Sequence, residues 1–293
     1  MKFILILILS VILFSSCTER MDIELDKTYP RLVVEGNLTS EEAFQKVKLT
    51  RSSDFMTDQS YEPVSGAKVT IYDSISKNYF NLFENDSIKG LYQTKSHVRG
   101  IPGHTYNLKI ENVDIDSNGI KETYTASSTM QPINPIDSID IVPYIEKISK
   151  EKGWEIRLYM WDSPQKDYYV FKILKNGKLL SDTITEWEYT DDVLFDNQYI
   201  NGITCYYLKE KKEDEKLQSG DVVTLEVDGI NKDYFNFIND AIMNYYPSIP
   251  IFSPPRANVS TNILPKEKTF GFFAAYSVRK ISVIYNDHGK PPF

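Results

Sequence analysis

Three histidines, two cysteines and a few acid-rich turns are the residues on which chemistry would have to rest. His97 and His104 lie beside turns, and His288 lies in a polar tail. A Ser-His-Asp or Cys-His relay needs a turn that presents its nucleophile, such as Gly-x-Ser-x-Gly, and none occurs. The same scatter gives no zinc-ligand spacing, so the histidines read as surface residues. Cys205, next to Tyr206 and Tyr207 in an apolar run, reads as a small buried hydrophobe rather than a nucleophile. One pattern is metal-like: Asp114, Asp116 and Asn118 place oxygens at alternate positions before Gly119, as at the opening of a calcium loop. The twelfth position of such a loop is Thr125 rather than Glu, and strands rather than helices flank it, so a hairpin turn is preferred. Trp154, Trp161, Trp187 and the Tyr245-Tyr246 pair offer rings for stacking on sugars. Trp154 and Trp161 end an alternating strand, however, and fit a core or sheet rim better. The expectation is a protein with no catalytic residues, no metal site and no cofactor.

Composition narrows the class. The chain has 293 residues, 25% charged and 41% hydrophobic, which is globular and enough for one large domain or two ordinary ones. Its 20 tyrosines and 15 phenylalanines, with frequent Val, Ile and Thr, favour strands. A net charge of −8 argues against a nucleic-acid partner and against a polybasic grip on a bilayer.

The N-terminus supplies the missing anchor. Lys2 precedes an apolar run from Phe3 to Phe14 broken only by Ser10. Its length of about 12 residues falls short of the roughly 20 that a membrane span needs, so residues 1–17 read as a signal peptide. Ser15-Ser16-Cys17 resembles the bacterial lipobox, with Phe14 where Leu is usual. The resemblance implies that Cys17 is lipidated, with acyl chains such as palmitate, and begins the mature chain. Cys205 then has no partner for a disulfide. Residues 18–28 are polar and acidic and read as a tether. Glu19 and Asp22 loosely resemble a surface-export signal, and a plain solvated linker explains them as well.

The body alternates. Strands are expected at Leu32–Gly36, Gln45–Thr50, Ser65–Tyr72, Tyr79–Leu82, Gly90–Tyr92, Thr105–Ile110 and Tyr124–Ser127, with turns between them and no helix. That spacing describes a β-sandwich over residues 29–130. Two prolines between Gln131 and Pro135 mark a boundary, and residues 131–293 form a second β domain. Its strands are expected at 136–143, 154–161, 168–174, 203–208 and 221–227, with a tight hairpin across Lys175-Asn176-Gly177. The charged stretch Lys209–Lys216 reads as a solvated hairpin loop. Phe235, Ile238, Ile242 and Tyr245 recur at helical spacing, so one helix is expected near 232–246, capped by Asn231 or Asp233. Thr269–Tyr276 reads as a last buried strand, and Lys280–Tyr285 as another.

Several landmarks then fall in a familiar order: the lipobox, Leu32-Val33-Val34-Glu35-Gly36, Pro63–Val69, Gly90-Leu91-Tyr92, Pro102–Leu108, Asp191–Asp196 and Asn258–Asn262 leading into Phe270–Tyr276. Together they resemble the Bacteroidota lipoproteins grouped as domain of unknown function 4249. The resemblance implies an outer-membrane lipoprotein, facing the periplasm or the cell surface, often encoded beside a TonB-dependent receptor. It carries over no functional residue. The first half also resembles transthyretin-like and carboxypeptidase-regulatory sandwiches, and the second is expected to be immunoglobulin- or fibronectin-like. The all-β class is thus expected for both domains, with one short helix in the second. Asp73-Ser74-Ile75, Asp86-Ser87-Ile88, Asp137-Ser138-Ile139 and Asp182-Thr183-Ile184 resemble a Bacteroidota O-glycosylation pattern, which would modify Ser74, Ser87, Ser138 or Thr183. A turn acid entering a strand produces the same tripeptide. The leading functional expectation is a non-enzymatic accessory protein docked on an outer-membrane TonB-dependent transporter. The second is a surface lipoprotein that binds a glycan or peptide for nutrient capture, which a cleft with exposed rings and convergent polar groups would favour. A hydrolase, which needs a clustered carboxylate pair, is the least favoured.

Overall fold

The computed structural model describes residues 29–52, 61–246 and 259–287, so Cys17, the tether and His288 lie outside the described residues. Within them the chain is mostly β, with sixteen strands in two sheets and a single α-helix. The first eight strands are β1 (Leu32–Thr39), β2 (Lys46–Arg51), β3 (Glu62–Pro63), β4 (Lys68–Asp73), β5 (Tyr79–Glu84), β6 (Leu91–Thr94), β7 (Thr105–Val113) and β8 (Glu122–Thr129). All seven strands expected before residue 130 are present. Period-2 alternation makes them: in β4, Val69, Ile71 and Asp73 turn inward while Lys68, Thr70 and Tyr72 turn outward. Leu32, Val34, Leu49, Ile71, Tyr106 and Tyr124 meet in one core beneath the run β2-β6-β5-β4-β7-β8.

The second half is layered. Its strands are β9 (Ile136–Ile145), β10 (Lys152–Trp161), β11 (Tyr168–Lys175), β12 (Lys178–Leu179), β13 (Glu188–Asp191), β14 (Tyr199–Lys209), β15 (Val222–Ile230) and β16 (Thr269–Ile284). β9, β10 and β14 form a separate three-stranded sheet. Trp154, Ile156 and Leu158 of that sheet pack against Phe171, Ile173 and Leu225 of β11 and β15. On the opposite face, the helix α1 (Lys232–Tyr245) lays Tyr234 and Ile238 over Val170, Ile230 and Ala274. Asn231 caps it, its Oδ1 accepting the Tyr234 N–H at 2.9 Å. The β11–β12 turn is the expected tight hairpin: Asn176 and Gly177 both have positive φ, as a two-residue primed turn requires.

Two readings are corrected. The stretch Lys209–Lys216 is not a hairpin loop, because β14 and β15 belong to different sheets and do not pair. Glu215 inside it is buried and accepts the Lys209 N–H at 2.7 Å, so the segment is a packed crossover. The two C-terminal strands are one. β16 runs unbroken for 16 residues and changes partner midway, pairing parallel with β1 over Thr269–Tyr276 and antiparallel with β15 over Ser277–Ile284. Burial on both faces up to Val278 gives way to alternation beyond it, and that change of phase imitates a break in the sequence.

Where β16 lies against β1, its other edge is covered by side chains. Asn262 acts as a surrogate strand: its Oδ1 accepts the Phe273 N–H at 3.0 Å and its Nδ2 donates to the Phe273 carbonyl at 2.8 Å. Ser128 Oγ accepts the Ala275 N–H at 2.9 Å, and Thr261 Oγ1 donates to the Gly271 carbonyl at 2.7 Å. Gly271 is obligatory there. Its φ of +86° suits glycine, and an added Cβ would stand 2.1 Å from the Val34 carbonyl oxygen. Gly66 has a similar φ of +75° with open space around it. Gly271→Ala is therefore expected to lower stability by about 3 kcal/mol or more, and Gly66→Ala by only about 1–2 kcal/mol. Urea unfolding midpoints of the two variants check this, and equal losses would show that the β1–β16 contact is not tight.

Candidate functional site

The outward residues of four adjacent strands make a groove of about 800 Å³. Antiparallel register aligns them in rows. Tyr79, Tyr72, Asn107 and Ser127 face one another across β5, β4, β7 and β8, and Asn81, Thr70, Lys109 and Thr125 form the next row. The Tyr72 and Tyr79 rings lie 4.6 Å apart, tilted by 34°, and Tyr79 is 65% exposed. At the far end Glu111 bridges Lys109 at 2.7 Å and Lys68 at 3.0 Å, and these two ammonium groups hold its carboxyl below the ordinary value. Asn262 and Leu264 form a wall, because Leu264 exchanges both backbone hydrogen bonds with Thr125 at the sheet edge. The groove thus presents aromatic faces at one end, amides and hydroxyls in the middle, and a charged cluster at the other end. Those are the parts that bind a polyol: rings for C–H faces and fixed donors and acceptors for hydroxyls.

The corner below Tyr72 is tied down by charge. Asp73 ends β4 with its Oδ1 accepting the Ile75 and Ser76 N–H groups at 2.9 and 3.1 Å, while Oδ2 meets His104 Nδ1 at 2.8 Å. Burial pushes this carboxyl up, and the hydrogen bonds from His104, Ser76 and Ile75 outweigh it, bringing it to about 2. Ser74, one of the candidate glycosylation hydroxyls, accepts from Asn107 Nδ2 at 2.6 Å. Asp73 is therefore a turn acid in the first of the four tripeptides. Ser87, Ser138 and Thr183 are exposed.

The other residues singled out in the sequence are dispersed. Asp114 accepts from the Asn118 and Gly119 N–H groups at 3.0 Å, and Asp116 from the Asn118 side chain at 2.7 Å. These oxygens close their own hairpin turn between β7 and β8. His97 is exposed, edge-on to Phe44 at 4.4 Å. Cys205 is buried beside the Ile156 carbonyl, and burial pushes its thiol far above the ordinary value. Trp154 is buried, its indole N–H donating to Tyr285 Oη at 3.0 Å. Trp187 donates to the Ser181 carbonyl at 3.2 Å. Trp161 differs, standing 60% exposed with Tyr199 at 5.3 Å on the outer face of the three-stranded sheet, where Tyr144 and Tyr207 form a second pair at 5.3 Å. Tyr245 and Tyr246 are exposed at the end of α1.

One cluster had no signal in the sequence. Asp162, Asp167 and Asp192 are buried with carboxylate oxygens within 4.8 Å of one another, and among the described residues they are the group that could hold a metal ion. Most of their oxygens already have partners. Tyr169 Oη donates to Asp162 at 2.6 Å, Ser163 Oγ to Asp167 at 2.5 Å and the Asp167 N–H to Asp192 at 2.6 Å, while Lys166 Nζ lies 2.7 Å from the remaining Asp192 oxygen. The cluster latches two loops together with one cation for three acids. Burial raises the Asp162 and Asp167 carboxyls above their ordinary 3.8. A folded state that holds protons more tightly than the unfolded chain is most favoured at low pH and loses that advantage as pH rises past 3.8 through the raised values. Lys166→Met leaves this cluster without its cation. It is expected to be less stable than the parent at neutral pH, with the deficit shrinking in acid as the raised carboxyls take up protons. Denaturation at several pH values checks this; a deficit independent of pH would remove the electrostatic account.

Comparison with known proteins adds little on chemistry. No curated protein matches the chain. The chain is similar to a crystal structure of a DUF4785 family protein from Legionella pneumophila subsp. pneumophila at 9% identity and a TM-score of 0.25, over 68% of this chain and 52% of that one. The chain thus spans about half the length of that protein. The family described as "Domain of unknown function (DUF4249)" matches residues 18–282, nearly all of the chain after Cys17, and to that family this protein belongs.

Proposed function

We propose that this protein is a non-catalytic, lipid-anchored outer-membrane lipoprotein that captures an oligosaccharide in the groove across β5, β4, β7 and β8. The Tyr72–Tyr79 pair carries the reading, because exposed rings set beside a grid of amides, hydroxyls and Lys109 match the alternating apolar and polar surface of a sugar. Antiparallel backbone pairing across the four strands sets the spacing of these side chains before the ligand arrives. The anchor follows from the lipobox resemblance at Cys17 and leaves the groove near the membrane surface. Glycan-array screening of the detergent-purified full chain tests it. The parent is expected to retain at least one oligosaccharide class, with Tyr79→Ala weakening it roughly threefold to tenfold and leaving thermal stability unchanged. Absence of any retained glycan, or full affinity in Tyr79→Ala, would sink the reading.

A second reading is favoured by a separate observation. The outer face of the β9-β10-β14 sheet carries the Trp161–Tyr199 and Tyr144–Tyr207 ring pairs, a composition enriched where proteins dock. On that face the protein would sit as an accessory against a TonB-dependent transporter. A tagged copy purified from solubilised envelope is then expected to bring a transporter barrel with it in stoichiometric amount. The double variant Trp161→Ala, Tyr199→Ala should lose that barrel while keeping its glycan. Recovery of the lipoprotein alone would eliminate stable docking.

A further inference from the structure

One amine and two carboxyls are enclosed between the central sheet and α1. Lys172 on β11 stands opposite Glu226 on β15 in the antiparallel register, and Asp228 is the next inward residue on the same face. The Lys172 side chain passes Glu226, its Nζ lying 3.3 Å from Glu226 Oε1 and 2.5 Å from Asp228 Oδ2. The side chains of Lys172 and Asp228 are only 8% and 2% exposed. Rings close the site: Trp187 and Tyr276 lie 4.6 and 5.4 Å from Nζ, and Tyr234 of α1 is buried beside them. Asp228 Oδ1 is buried and meets no hydrogen-bond donor. An ion pair kept for its stability would satisfy both carboxylate oxygens, whereas this one holds a single oxygen against the amine and leaves the other bare.

We propose that Lys172 and Asp228 are joined by an intramolecular isopeptide bond that forms without an external catalyst. The proton of the ammonium first passes across the direct Lys172–Asp228 contact, giving a neutral amine beside a neutral acid. Burial penalises both charges and favours that pair, working against the surrounding Asp228, Tyr276 and Glu226, which hold the Lys172 ammonium above its ordinary value. Lys172 Nζ then attacks Cγ of Asp228, forming the C–N bond. One carboxyl C–O bond breaks, and its oxygen leaves as water with the hydroxyl proton and one amine proton. No electron transfer and no co-reactant is involved. Glu226, in contact with Nζ and balanced by Lys280 at 3.0 Å, is placed to carry the amine proton to the departing oxygen. Burial and the neighbouring Glu226 raise the Asp228 carboxyl against the pull of Lys172, in the direction that the acid form requires. The product removes two buried charges and ties β11 to β15 in a chain whose buried Cys205 makes no disulfide.

Mass spectrometry of the full chain decides the matter. After denaturation and trypsin digestion, cleavage after Lys172 is expected to fail. Peptide 167–175 should be recovered joined to peptide 217–232, one water lighter than the two linear peptides together. Fragmentation should place the link between Lys172 and Asp228. Glu226→Gln keeps the Lys172–Asp228 contact and removes the relay, and it is expected to yield mostly the unlinked peptides from folded protein. Complete cleavage after Lys172 in the parent chain, with peptide 217–232 found only in linear form, would overturn the proposal.

Discussion

A strand has two hydrogen-bonding edges, and β16 gives one to each half of the molecule. Over Thr269–Tyr276 its partner is β1, and over Ser277–Ile284 its partner is β15 on the other side. Everything else accommodates that exchange. The edge opposite β1 is left without a strand and is filled by Asn262, Thr261 and Ser128. The helix cap joins in, because Asn231 Nδ2 donates to Ser128 Oγ at 2.9 Å while its Oδ1 holds the first turn of α1. A cluster of short polar side chains thus replaces the backbone partner that geometry withholds, as buried N–H and C=O groups demand.

The groove is the outward half of the pattern that makes the core. Each inward Val69, Ile71, Leu108 and Ile110 obliges a neighbour to face solvent, and antiparallel register lines those neighbours up across the sheet. Alternation alone therefore locates seven of the eight strands of the first half from the sequence, stopping short of the ends of β1 and β7 and missing the two-residue β3. It does not say which strands will be adjacent. Tyr72 and Tyr79 are separated by the Asp73 turn, and only the β4–β5 pairing sets their rings together. The same limit explains why tryptophans attracted attention before tyrosines. Trp154 is a core residue bonded to Tyr285, whereas Trp161, at the other end of the same strand, is exposed, and the strand alone does not distinguish them.

Buried charge marks the places least legible from sequence. Asp162 and Asp167 come from the loop between β10 and β11 and Asp192 from the turn after β13, and they look like ordinary loop acids until the β11–β13 pairing brings the two loops together. Lys172 sits in an apolar strand, where a single lysine suggests an exposed position. Its partners lie more than fifty residues further along on β15. The charged stretch Lys209–Lys216 misleads in the opposite sense, since Glu215 within it is buried. Charge at a single position shows neither depth nor partner; both arise from pairing between distant strands.

The parallel seam between β1 and β16 also orders events in time. Leu32 emerges early in synthesis and has to wait for Thr269 before its outer edge is closed. In a chain threaded across a membrane N-terminus first, the N-terminal sheet would spend nearly the whole passage with that edge open, carrying the apolar sequence Leu32-Val33-Val34. Such an edge pairs readily with any other strand that reaches it. A holding factor on the far side of the membrane, or a lag in completing the sheet until the last strand arrives, becomes part of how such a protein matures.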